Sequence, residues 1–189
     1  MPTDTAATAA DPPTAASPPE SDARLIARSL EDPDAFRDLF DRHWTRVRRY
    51  AAARVGDAAD DVASETFATA FQCRGRYDLT RADAAPWLLG IATNHVRRLR
   101  RAEHKRLRAL AAAGAASGPL QLVEPAPPRD GALAHALLQL DRRDRDVLAL
   151  FALADLSYAE IAAALGIPEG TVRSRLNRAR RIVKEVLAS

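Results

Sequence analysis

The chain has 189 residues, room for one or two small domains, and carries 28 Lys and Arg against 25 Asp and Glu for a formal net charge of +3. Its single cysteine, Cys73, excludes an internal disulfide and a multi-cysteine metal site and fits a reducing compartment. The first residues show neither a basic start nor an apolar run, and no stretch approaches the ~20 apolar residues of a membrane span, so a soluble cytoplasmic protein without membrane insertion is expected.

The charge is unevenly spread. Residues 1–34 hold seven acids against Arg24 and Arg28, whereas residues 97–108 hold seven basic residues against Glu103. A basic patch in mid-chain and a second near the end, behind an acidic front, point to nucleic acid touched at two places.

In chain order, residues 1–22 are rich in Pro, Ala, Thr and Ser and have little to bury, which predicts a disordered tail with order starting near Ala23. From Asp34, Phe36, Leu39, Phe40, His43, Val47, Tyr50 and Ala51 recur at three- and four-residue steps, the period of an amphipathic helix that Gly56 ends. Asp57 is placed to cap a second helix, "AADDVASETFATAFQ", with Ala63, Phe67 and Ala70 inward and Asp61, Glu65 and Gln72 on the opposite face. A loop, "CRGRYDLTRADAAP", leads to a long helix from about Trp87 to Leu110. There Trp87, Leu88, Ile91 and Val96 face inward, and Asn94, Arg97, Arg98 and Arg101 line an edge suited to DNA.

Residues 111–130, dominated by Ala, Gly and Pro, break the helical period and read as a flexible linker. Four shorter helices follow in 131–189, and no strand pattern or repeat stands out. The expected fold is all-α, with a first lobe at 23–110 and a second at 131–189.

The second lobe carries a helix-turn-helix pattern. Ser157 and Glu160 have capping-box spacing, Ile161 and Leu165 point inward, Gly166 permits the turn, and Pro168 opens the next helix. In "GTVRSRLNRARR", Val172, Leu176 and Ala179 begin an apolar stripe that continues through Val183 and Val186 within about 40° of one line. The opposite face bears Arg173, Ser174, Asn177 and Arg178 toward base edges, with Arg175, Arg180 and Arg181 beside the phosphates. A solvated basic helix without a partner is the plainer alternative.

"DDVASETFATAF", then "WLLGIATNHVRRLRR", a Pro-rich linker and "LSYAEIAAALGIPEGTVRSRLNRAR" together resemble a bacterial RNA polymerase sigma factor of the sigma-70 family, extracytoplasmic-function (ECF) group, over about Asp34 to Val186. The resemblance implies a sigma-two helical bundle that docks on core RNA polymerase and opens the minus-ten element. It also implies a sigma-four helix-turn-helix domain that reads the minus-thirty-five element. By the same resemblance Asp61 and Glu65 face the polymerase with Gln72 on their face, and the loop before the long helix holds a flipped base for which Tyr77 offers a stacking face. Asn94, Arg97, Arg98 and Arg101 then border minus-ten DNA, and Arg173, Ser174, Arg175, Asn177, Arg178 and Arg181 border minus-thirty-five DNA. The family also implies a monomer, an anti-sigma factor as a further partner, and no cofactor.

The rival reading is a helix-turn-helix regulator that binds an operator without being a polymerase subunit, which calls for a dimer and a palindromic site. Catalysis has little support: His43, His95, His104 and His135 are scattered, and no nucleophile has a recognisable base. His95 and His104, set among arginines, are expected to face DNA or solvent.

Overall fold

The computed structural model describes residues 20–114 and 131–188; the expected tail, apart from its last three residues, and most of the expected linker lie outside them. Among the described residues every regular element is helical. The first lobe consists of α1 (Asp22–Arg28), α2 (Phe36–Val55), α3 (Ala59–Cys73) and α4 (Ala85–Gly114). The second consists of α5 (Gly131–Gln139), α6 (Arg142–Ala154), α7 (Tyr158–Leu165) and α8 (Glu169–Leu187).

Several boundaries differ from the sequence reading. Helix α1 is not announced by the sequence pattern; its seven residues are too few to show an apolar period, and its N-cap Ser21 accepts a hydrogen bond from the Arg24 N–H. Asp57 does not cap α3, because Gly56–Ala58 form a 3-10 turn that runs into α3 with Ala58 at the cap position and no side-chain bond there. Helix α4 starts at Ala85, two residues early, since Pro86 fits the first turn, and it continues to Gly114 through alanines that favour helix. Pro168 is the N-cap of α8 and not its first helical residue.

The first lobe's core joins α2, α3 and α4. Leu39, Val47, Tyr50, Phe67, Leu88 and Leu89 are buried, and Phe40 stacks on Trp44 at 4.9 Å and tilts against Phe67 at 4.8 Å. A buried polar knot ties α1 to this body. Asp22 Oδ1 accepts from Arg42 at 2.5 Å, and Oδ2 contacts His43 Nε2 at 2.7 Å and accepts the Ala84 N–H at 2.8 Å. Burial alone pushes this carboxyl up, but the His43 hydrogen bond, the Ala84 N–H, the His43 charge and Arg42 outweigh it and hold the group at about 2.

The second lobe buries Val147, Leu150, Ile161, Val172 and Leu176. The two lobes are packed together, an arrangement the sequence left open: α2 and α4 lie against α6 and α7, and one apolar cluster runs from Leu39 and Leu88 to Ile161 and Leu176. Arg46 Nη2 crosses the seam to the Ala154 carbonyl at 2.5 Å.

Candidate nucleic-acid interface

The capping box forms as the spacing requires: the Ser157 N–H donates to Glu160 Oε2 at 2.7 Å and the Glu160 N–H to Ser157 Oγ at 3.3 Å. Gly166 then takes φ +63, a left-handed conformation that costs a side-chain-bearing residue about 1–2 kcal/mol, and the chain reverses into α8. Val172, Leu176 and Ala179 are fully buried, so the rotation of α8 is set and its polar face turns outward.

On that face Arg173, Ser174, Asn177, Arg178 and Arg181 are exposed, while Arg175 is half-buried. Arg173 lies 3.7 Å from Glu169 and Arg181 3.9 Å from Glu185, ion pairs along the helix that water screens. Ser174 Oγ donates to the Thr171 carbonyl at 3.0 Å. Arg178 is held much more firmly: Nε donates to Asp144 Oδ2 at 2.5 Å and Nη2 to Oδ1 at 2.7 Å. Asp144 is 1% exposed, so a buried carboxylate on α6 fixes one edge of a guanidinium whose side chain is still 53% exposed. Arg180 lies over the Phe151 ring at 4.6 Å.

In the first lobe, Asp61, Glu65 and Gln72 lie exposed along α3. Glu65 Oε2 sits 2.9 Å from Nδ1 of His95, whose Nε2 meets Thr69 Oγ1 at 3.0 Å. His95 is buried against α3, which corrects the expectation that it faces DNA or solvent; His104 is exposed. Within α4, Asn94, Arg98 and Arg101 are exposed, but Arg97 donates from Nε to Asp146 Oδ2 on α6 at 2.7 Å. That pairing was invisible to the helical period of α4 alone.

Tyr77 also departs from its expected role. Its ring is 7% exposed and packs against Trp87 at 5.0 Å, and its hydroxyl donates to the carbonyls of Arg81 at 2.7 Å and Asp83 at 3.0 Å. Burial and the neighbouring Asp22 and Asp83 charges push the phenol up to about 12. A ring so enclosed braces the loop before α4 and has no free face for a base. Asp22, His43 and Asp83 bring ligand atoms within 4.8 Å of one another, yet the Asp22 oxygens are already occupied by Arg42, His43 and the Ala84 N–H. That cluster serves folding.

Comparison with known families matches residues 39–106 to sigma-70 region 2 and residues 130–183 to sigma-70 region 4. The chain is 34% identical over 157 residues to the RNA polymerase sigma factor CarQ of Myxococcus xanthus, covering 82% of this chain and 90% of that one. It belongs to the sigma-70 family, ECF group. A second relative is the ECF sigma factor SigL of Mycobacterium tuberculosis, 33% identical over 171 residues, covering 87% of this chain and 96% of that one. Among solved structures, CnrH in complex with the cytosolic domain of CnrY superposes with a TM-score of 0.63 at 28% identity, over 88% of this chain and 97% of that one. The fold is also that of RpoE of Bartonella quintana, at a TM-score of 0.54 and 22% identity over 81% of this chain and 96% of that one. The sigma factor reading therefore holds, and the operator-binding alternative has no support among these relatives. Among the described residues no helix is long and apolar enough to cross a membrane.

Proposed function

We propose that this sigma factor acts in the cytoplasm as a non-catalytic, monomeric subunit that joins core RNA polymerase and directs it to promoters through two DNA contacts. The observation that carries the reading is the occurrence of regions 2 and 4 in order on one chain, each with a polar face set outward by a buried stripe. Residues 23–110 form the polymerase-docking and minus-ten domain, and residues 131–189 form the minus-thirty-five domain. Exposed Asp61, Glu65 and Gln72 on α3 offer carboxylates and an amide to a basic polymerase surface. Arg173, Ser174, Asn177 and the outer edge of Arg178 read base edges in the major groove, with Arg175 and Arg181 on the phosphates. Asn94, Arg98 and Arg101 border the minus-ten DNA.

Capture of unstacked bases offsets the few kcal/mol of strand separation, so melting needs no nucleotide hydrolysis by this chain. An anti-sigma factor is a further partner in this reading, by similarity to CnrH, which is solved with the cytosolic domain of CnrY.

The test is transcription in vitro from genomic fragments by core polymerase with and without the chain. Specific starts that require both components are expected, and equal initiation without the chain refutes the reading.

A further inference from the structure

The seam between the lobes holds an unusual concentration of cations. Arg54 on α2 is 8% exposed; one of its terminal nitrogens bonds Asp146 and the other donates to the Tyr50 hydroxyl at 2.8 Å. Tyr50 in turn meets Thr93 Oγ1 at 2.8 Å, which anchors the group to α4. Arg97 takes the other Asp146 oxygen, and Arg100 Nη2 donates to the Arg54 carbonyl at 2.5 Å.

Among the described residues Asp146, 1% exposed, is thus the one carboxylate paired with Arg54 and Arg97, with Arg100 close by and Arg145 adjacent on α6. Nε of Arg54 and Nε of Arg145 are buried without an acceptor. Burial, followed by the charge of Arg54, lowers the proton affinity of both Arg100 and Arg145, with Asp146 opposing the shift.

Every first-lobe member of this cluster lies on α2 or α4, and among the described residues the acid bonded to Arg54 and Arg97, Asp146, comes from the second lobe. We propose that Arg54, Arg97 and Arg100 form a phosphate-binding site of the first lobe for the DNA backbone, and that Asp146 occupies this site as a carboxylate surrogate while the lobes are closed. Closure and use of the site by DNA then exclude each other, and the chain is self-masked until the second lobe swings away. This rests on the reading that α4 borders promoter DNA.

The geometry supplies a wedge with which to test it. A Cβ placed on Gly90 of α4 falls against the carbonyl oxygen of Ala164 on α7 and lies 3.2 Å from the carbonyl carbon, and its three nearest atoms all belong to Ala164. A larger side chain at 90 therefore meets the second lobe first, and replacing glycine within α4 also favours the helix.

In full-length protein with Cys73→Ser, nitroxide labels at Ala68→Cys and Ala188→Cys report lobe separation, while a fluorescein-labelled 30-base-pair DNA of fixed sequence reports binding across a salt series. The unmodified seam is expected to give one short distance. Gly90→Leu and, independently, Asp146→Asn should lengthen it, tighten DNA binding roughly tenfold at low salt and steepen the slope of log K against log salt by about 2–3, the number of arginines released. Adding Arg54→Ala and Arg97→Ala to Gly90→Leu should remove that gain.

Four results overturn the proposal: an open distance distribution without any substitution, a chain that stays closed with Gly90→Leu, an opened chain whose affinity and salt slope are unchanged, or a gain that survives loss of both arginines. Transcription with core polymerase and the parental chain runs alongside. Polymerase-dependent initiation with no DNA gain on opening sinks the latch alone. A DNA gain without polymerase dependence supports the latch and sinks the initiation reading.

Discussion

Two buried acids on α6, Asp144 and Asp146, stand two residues apart and hence about 200° apart around the helix, and they do opposite things to the two edges proposed to meet DNA. Asp144 looks into its own lobe and grips Arg178, leaving part of that guanidinium outside, so the α8 surface is braced and accessible in the closed form. Asp146 looks across the seam, where it binds Arg54 and takes up Arg97 from the α4 edge. Arg178 is positioned by an acid of its own lobe, whereas in the proposed latch Arg54 and Arg97 are withheld by an acid of the other lobe. The difference lies in which body carries the acid.

That contrast can be broken most severely at the helix both acids share. Leu150 is fully buried on α6, and Leu150→Ala should cost about 2–5 kcal/mol, read as a lower denaturant midpoint with loosening of both ion-pair systems.

Asp22 provides a control, a buried acid whose partners all lie in the first lobe. Its carboxyl is depressed from 3.8 to about 2 in the fold, so the associated stability is present above about pH 4 and is lost as pH falls through 2. Asp22→Asn should remove on the order of 2 kcal/mol at neutral pH and flatten stability across that acid window without changing lobe separation.

Asp144→Asn sharpens the other half of the contrast. Because Arg178 can turn to water, the expected loss of stability is about 1–2 kcal/mol. Promoter use through the upstream element should fall to the level of Arg178→Ala, and the double variant should be no worse than Arg178→Ala. Additive losses would show that the two residues act separately. The smallest stability effect is expected on α3 at Asp61: Asp61→Ala should change unfolding free energy by less than about 0.5 kcal/mol while weakening core polymerase binding in a pull-down titration, whereas Glu65→Ala strips the buried His95 Nδ1 of its partner and should cost about 1–2 kcal/mol. Full core affinity in Asp61→Ala would remove the docking assignment.

Much of this was legible in the chain. The stripe of Val172, Leu176 and Ala179 determined which way α8 faces, because burying an apolar line leaves a helix only one rotation, and Ser157, Glu160 and Gly166 determined the turn before it through bonds spanning a few residues. What escaped were contacts between residues far apart in sequence. Tyr77 looked like an available ring because nothing local announces that Trp87 and two loop carbonyls enclose it. Asp144 and Asp146 are acids in an otherwise apolar register, which signals a buried partner but does not name it.

The sequence by itself determined an all-α chain, its helix-turn-helix and the polar faces of α3 and α8, since helical period and caps are local. Only the tertiary structure decided that Gly90 is the notch for Ala164 and that Asp146 meets Arg54 and Arg97. Charge pairing and close packing between lobes depend on how two bodies are placed, and no repeat along one helix encodes that placement.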